Sequence, residues 1–168
     1  GKRGMGALEY EPSQEITTAD ESVDLDALTR LASDILSEKE QIHIEKNDTL
    51  MSQLMECGSS VGGARAKTLI ALNPETNVIR SGQINAGENF EYWLLKFDDI
   101  ANNKDKDKEP DGKEYTKIEY AYYLMAKSAG IEMSECRLFQ ENGRSHFMTK
   151  RFDRKGVKGK KLHMQSLC

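Results

Sequence analysis

The sequence predicts an α+β fold: an antiparallel β-sheet with one packed helix, preceded by a helical connector. Three observations lead there. The apolar period changes from helical to alternating after Gly58, the links between alternating stretches have hairpin length, and a single later segment sustains a helical pattern. At 168 residues the chain has the length of roughly one domain and can bury a core without disulfide staples.

Residues 1–56 read as an acidic connector with helices. From Glu9 to Asp26 every charged side chain is acidic, and Pro12 with several Ser and Thr marks a solvated stretch. Asp24 is placed to cap a helix over residues 25–38, where Leu28, Leu31, Ile35 and Leu36 form one apolar stripe. A second helix is expected over residues 48–56, with Asn47 or Asp48 as cap and Leu50, Leu54 and Met55 on one face. Residues 57–168 carry the sheet. Strands are expected at 67–72, 77–80 and 91–97, the first turn falling on Asn73, Pro74 and Glu75. Residues 102–114 mix lysines and acids with Pro110 and Gly112, a composition for a surface loop. A helix follows over 115–129: Ile118, Ala121, Tyr122, Met125 and Ala126 fit an i, i+3, i+4, i+7, i+8 stripe that is expected as its packed face. Gly130 ends it. Strands at 137–140 and 146–152 are joined by Glu141, Asn142 and Gly143, a hairpin turn of the Asn-Gly kind, and a further turn sits at 156–159.

Composition excludes several classes. The formal net charge of −4 offers no electrostatic footprint for a free-standing DNA binder. No apolar run approaches the ~18 residues of a membrane span. Cys57, Cys136 and Cys168 show neither a disulfide framework nor zinc spacing, and no signal-peptide segment opens the chain, so a reducing cytoplasmic setting is expected. His43, His146 and His163 have no spacing that pairs them as metal ligands.

Two features point to chemistry. Gly58, Gly62 and Gly63 with Ser59 and Ser60 lie in front of a strand, where missing Cβ atoms let backbone N–H groups approach phosphate oxygens. The loop is not a Walker A sequence, because Ala64 and Arg65 stand where Lys and Ser or Thr belong and a strand follows instead of a helix. A flexible turn is the plain reading of these glycines alone. The second feature is Lys96, a lone base in the apolar strand Tyr92-Trp93-Leu94-Leu95-Lys96-Phe97. A buried strand lysine needs an anion, a phosphate oxygen for instance, with Glu119 on the next helix as the carboxylate to hold it. A lysine on the solvated side of the sheet is the plainer alternative. Glycine loop, strand lysine and helix glutamate, in that order, make the layout of a kinase small lobe.

On these residues the resemblance becomes specific. Ser60-Val61-Gly62-Gly63-Ala64-Arg65-Ala66-Lys67-Thr68 resembles the nucleotide loop of HipA-type toxin kinases, and Glu119-Tyr120 with residues 124–130 resembles their small-lobe helix. Arg151-Phe152-Asp153-Arg154 matches their Arg-Phe-Asp-Arg signature, and residues 4–12 resemble the segment joining the amino-terminal subdomain to the kinase core. The resemblance implies the small-lobe portion of a serine/threonine protein kinase from a toxin–antitoxin module, using ATP and Mg2+. It further implies an antitoxin of the HipB type, through which DNA is contacted, and a protein substrate, an aminoacyl-tRNA synthetase being the family's best-known target.

By position, Val61, Gly62, Gly63, Ala64, Arg65, Ala66 and Lys67 would surround the triphosphate and Lys96 would contact phosphate. Glu119 would position the lysine. Ser60, or Ser59 one position earlier, would be the autophosphorylated loop serine that blocks ATP, and Gln165, Ser166 and Leu167 the hinge that reads adenine. Arg65-Ala66 departs from the Gln-Glu common before the family's loop lysine, which leaves only backbone roles there. The catalytic and magnesium-binding aspartates belong to the large lobe beyond the hinge, so the chain by itself is expected to be inactive, and Asp153 reads as part of a structural ion-pair cluster. Two rival readings stand beside this one: a truncated or split kinase half that acts as an interaction protein, and a nucleotide-sensing module without kinase descent.

Overall fold

The computed structural model describes residues 6–12, 22–36, 65–83, 85–101, 114–156 and 159–165. Within them the chain forms α1 (Leu25–Leu36), β1 (Arg65–Leu72), β2 (Ile79–Ser81), β3 (Glu91–Ala101), α2 (Tyr115–Ser128), β4 (Cys136–Glu141), β5 (Arg144–Lys150), β6 (Arg154–Lys155) and β7 (Lys160–Lys161). The expected helix at 48–56 lies outside the described residues, as does nearly all of the 102–114 loop. Every pairing is antiparallel. Five strands form one sheet in the order β2-β1-β3-β5-β4, and β6 with β7 makes a separate hairpin. The architecture is α+β, as the change of period predicts.

Alternation along the long central strand β3 sends Trp93, Leu95 and Phe97 to one face, all of them essentially sealed from solvent. There they meet Leu25 and Leu28 of α1 together with Ala66, Ile70, Leu72 and Met148. Each fully buried Leu, Ile, Phe or Met side chain among them contributes about 1.5–3 kcal/mol. Asp24 caps α1 as expected, its Oδ1 accepting the Ala27 N–H at 3.1 Å. The β4–β5 hairpin follows the Asn-Gly rule, with Asn142 at φ 45° and Gly143 at φ 77°, and Arg144 then ties it to α1 through Asp26 at 2.7 Å.

Two sequence expectations are corrected. The last sheet strand stops at Lys150, not at residue 152, because Arg151 and Asp153 turn into a buried ion cluster while Phe152 is exposed. The larger correction concerns α2. Its apolar stripe faces outward: Ile118, Tyr122 and Met125 are 47%, 66% and 64% exposed. Thr116 is buried, and Glu119, Tyr120, Tyr123 and Ala126 are half-buried on the sheet side. Thr116, Glu119, Tyr120 and Tyr123 share the same i, i+3, i+4, i+7 spacing, so periodicity alone admits either stripe. Two hydrogen bonds select between them, Thr116 donating to Asp98 of β3 and Glu119 accepting from Lys96 of β3.

His146 pins β5 to β3 at the same end of the sheet. Its ring is wholly buried, Nδ1 accepts the Asp98 backbone N–H at 2.9 Å, and Nε2 lies 3.4 Å from the Glu141 carboxylate. Accepting at Nδ1 places the proton of the neutral ring on Nε2. Burial pushes the imidazole pKa down, and the partial opposition of Glu141 does not restore it. A base with a lowered folded pKa takes up protons on unfolding, so stability falls as pH drops through the unfolded value near 6.5. Melting temperatures between pH 7.5 and 5.5 are expected to decline in the natural chain. In His146→Asn, whose Oδ1 can accept the same amide without titrating, the decline over this range should flatten; an unchanged slope would remove His146 as its source.

Candidate functional site

The face of β3 opposite the main core carries Leu94, Lys96 and Asp98, and α2 lies across β3, β4 and β5 on this side. Lys96 Nζ meets Glu119 Oε2 at 2.5 Å, and both side chains stay about one-third exposed, so the pair sits at an open rim. Strand and helix deliver the two charges from 23 residues apart. The ammonium also lies 5.7 Å from the centre of the Phe147 ring, which faces it from β5.

The register adds a second cation. Lys67 on β1 is the direct partner of Lys96, so both lysines project from the same face of neighbouring strands. Like charges opposite one another repel, and among the described residues Glu119 pairs with Lys96. Lys67 and Lys96 with Glu119 thus leave one formal positive charge in excess on this face.

Next to it along the sheet is a mainly apolar cavity of ≈ 270 Å³, whose walls include Leu94, Met133, Thr149, Phe152 and Met164. Leu94 precedes Lys96 by two residues, about 7 Å along the strand, so a wall of the cavity and the lysine stand on the same face of β3. A larger hollow of ≈ 400 Å³ lies beyond Arg151, between Pro74, Glu75 and β3, and includes none of the residues the sequence assigns to nucleotide binding.

The RFDR stretch closes the cavity floor. Asp153, 2% exposed, accepts from Arg151 Nε and Nη2 at 2.8 and 2.7 Å, from Arg154 at 2.9 Å and from the Gly6 amide at 2.8 Å. Burial pushes its carboxyl up, but the Arg151 bonds, the Gly6 amide and the charge of Arg154 outweigh burial and hold it below the usual range. A carboxylate so occupied is structural, as the sequence reading expects, and Phe152 between the inward-facing charges is left to line the cavity.

The structure thus brings Lys67, Lys96 and Glu119 together. Ser59, Ser60, Val61, Gly62, Gly63 and Ala64 lie outside the described residues, as do Ser166 and Leu167. Arg65 opens β1 beside an irregularity in its pairing with β3. Ala66 is 1% exposed within the α1-side core, so its side chain does not reach the lysine face. Gln165 is exposed and follows Met164, a wall of the cavity. Sequence reading missed Leu94, Met133 and Met164; for Leu94 the strand period from Lys96 was a usable signal. Among the described residues no group of three or more His, Cys, Asp or Glu is placed to hold a metal, and no helix is long and apolar enough to cross a membrane.

A family model described as the HipA-like C-terminal domain matches residues 59–168. No curated protein and no solved structure matches the chain. The matched span takes in β1 through β7, and with them Lys67, Lys96, Glu119 and the Arg151–Asp153–Arg154 cluster. Covering well over half of the sequence, this match establishes that the chain belongs to the HipA-like C-terminal domain family.

Proposed function

We propose that the chain is the nucleotide-binding small lobe of an ATP-dependent serine/threonine protein kinase of a toxin–antitoxin module, with Ser60 as its self-limiting phosphorylation site and an antitoxin of the HipB type as its partner. The observation that carries this reading is the Lys96–Glu119 pair with Lys67 across from Lys96. ATP supplies the phosphoryl group that is transferred. Lys67 and Lys96 hold its phosphate oxygens, Glu119 keeps the Lys96 ammonium aimed outward from β3, and the cavity beside Leu94 takes the base. On this side of the site Lys67 and Lys96 supply positive charge for the phosphates.

Titrating ATP calorimetrically into the chain and into Lys96→Met tests the assignment. One charge-assisted hydrogen bond is worth about 1.5–3 kcal/mol, so the variant should bind roughly 10- to 100-fold more weakly. Equal affinity would remove Lys96 from the site. A second reading, a non-catalytic kinase half acting as an interaction protein, draws on the outward apolar stripe of α2 at Ile118, Tyr122 and Met125. Absence of ATP binding to the natural chain would favour it.

A further inference from the structure

Asp98 and Thr116 take no part in the ligand contacts proposed above, yet they are among the most deeply buried polar residues, at 6% and 2% exposure. Thr116 Oγ1 donates to Asp98 Oδ1 at 3.1 Å. The other carboxylate oxygen accepts the Ser145 backbone N–H at 2.8 Å, and the Asp98 amide is held by His146 Nδ1. Asp98 is thus fixed to β5 from two sides and presents one oxygen to α2.

This contact runs parallel to the lysine pair. Lys96 and Asp98 stand two residues apart on one face of β3, about 7 Å, while Thr116 and Glu119 stand three residues apart on one side of α2, about 4.5 Å along its axis. Two rungs between the same strand and helix determine both the axial position of the helix and its rotation. A single exposed ion pair determines neither, because long charged side chains follow a rolling helix at little cost.

Rotation is the sensitive coordinate here. Thr116 and Ile118 are two residues, about 200°, apart around the helix, so the apolar stripe and the Thr116–Glu119 stripe lie on nearly opposite sides. The hydrophobic effect acting on Ile118, Tyr122 and Met125 favours turning them toward the sheet, which would carry Glu119 away from Lys96. The geometry points to Thr116 and Asp98 as positioning residues: their buried hydrogen bond holds α2 in the rotation that lets Glu119 engage Lys96. This inference rests on the nucleotide-binding reading for its consequence, but not for its geometry.

Two readouts keep these apart. The first is the 15N–1H resonance of the Lys96 side-chain ammonium in the full chain, which is slowed in exchange while paired; the second is the ATP dissociation constant. Thr116→Val, with Thr116→Ala as a smaller variant should Val not fold, is expected to lose the slowed Lys96 signal while the Trp93 emission from the opposite core stays unchanged. ATP affinity should fall about tenfold, the double variant with Glu119→Gln should lose no more than Glu119→Gln alone, and Thr116→Ser should restore both readouts. A retained Lys96 signal in a folded Thr116→Val or Thr116→Ala chain overturns the inference, as do losses that add in the double variant. If the natural chain binds no ATP, the nucleotide reading fails, and the Lys96 signal alone still decides for or against the rung.

Discussion

Asp153→Ala is expected to lower the stability of the chain by about 3–5 kcal/mol, a fall in melting temperature of roughly 10 °C. The Arg151 and Arg154 side chains are each 3% exposed and converge on this one carboxylate, so its removal leaves two guanidiniums facing one another out of water. The Gly6 amide loses its acceptor as well. Asp153→Asn should lose nearly as much, since an amide nitrogen would point at a guanidinium where an oxygen now accepts. Arg151 also donates to the Gly82 carbonyl and Arg154 to the Gly6 carbonyl, so the cluster joins the amino-terminal strap, the edge of the sheet and the cavity floor. Thermal unfolding followed by the emission of the single tryptophan, Trp93, measures the change. A loss of less than about 1 kcal/mol would mean that the cluster contributes little to the fold.

Gly82→Ala is expected to be the next most damaging change. A Cβ there would lie 2.6–2.7 Å from the backbone O, C and N of Ile70, closer than carbon can approach. β1 cannot recede, because β3 holds it from the far side, and the Gly82 N–H is bonded to the Leu69 carbonyl at 2.9 Å. Forcing the two backbones apart should cost about 3 kcal/mol, the upper part of the overpacking range, and loosen the strand that carries Lys67. Gly143→Ala is the control. Gly143 has φ 77° but nothing within 4 Å of an added Cβ, so only the left-handed backbone cost of roughly 1–2 kcal/mol remains. Equal melting temperatures for the two variants would show that the approach of residue 82 to β1 is not tight.

Much of the local structure could be read from the chain. Asp24 as a cap, Asn142-Gly143 as a two-residue reversal and the alternation through Trp93, Leu95 and Phe97 all act over a few residues, where side-chain type and backbone dihedrals are directly linked. The order of strand lysine and helix glutamate was legible too, and it singled out Lys96 and Glu119 before any contact was known, while the glycines at 58, 62 and 63 lie outside the described residues. The cavity beside Leu94 was not legible. Its walls come from β3, β5, the stretch after α2 and the segment after β7, which have no sequence proximity.

By itself, then, the sequence determined the two described helices, the strands of the five-stranded sheet and the turns between them, and that a lysine and a glutamate are available for one another, while the β6–β7 hairpin was marked only by its turn. Only the tertiary structure decided that the Ile118–Tyr122–Met125 side of α2 faces outward, that Lys67 stands opposite Lys96, and that Asp153 reaches Gly6 across 147 residues. The physical reason is that a period specifies the spacing of side chains along an element but not its phase relative to a neighbour. That phase is chosen by contacts such as Thr116 with Asp98, which exist only once strand and helix have met.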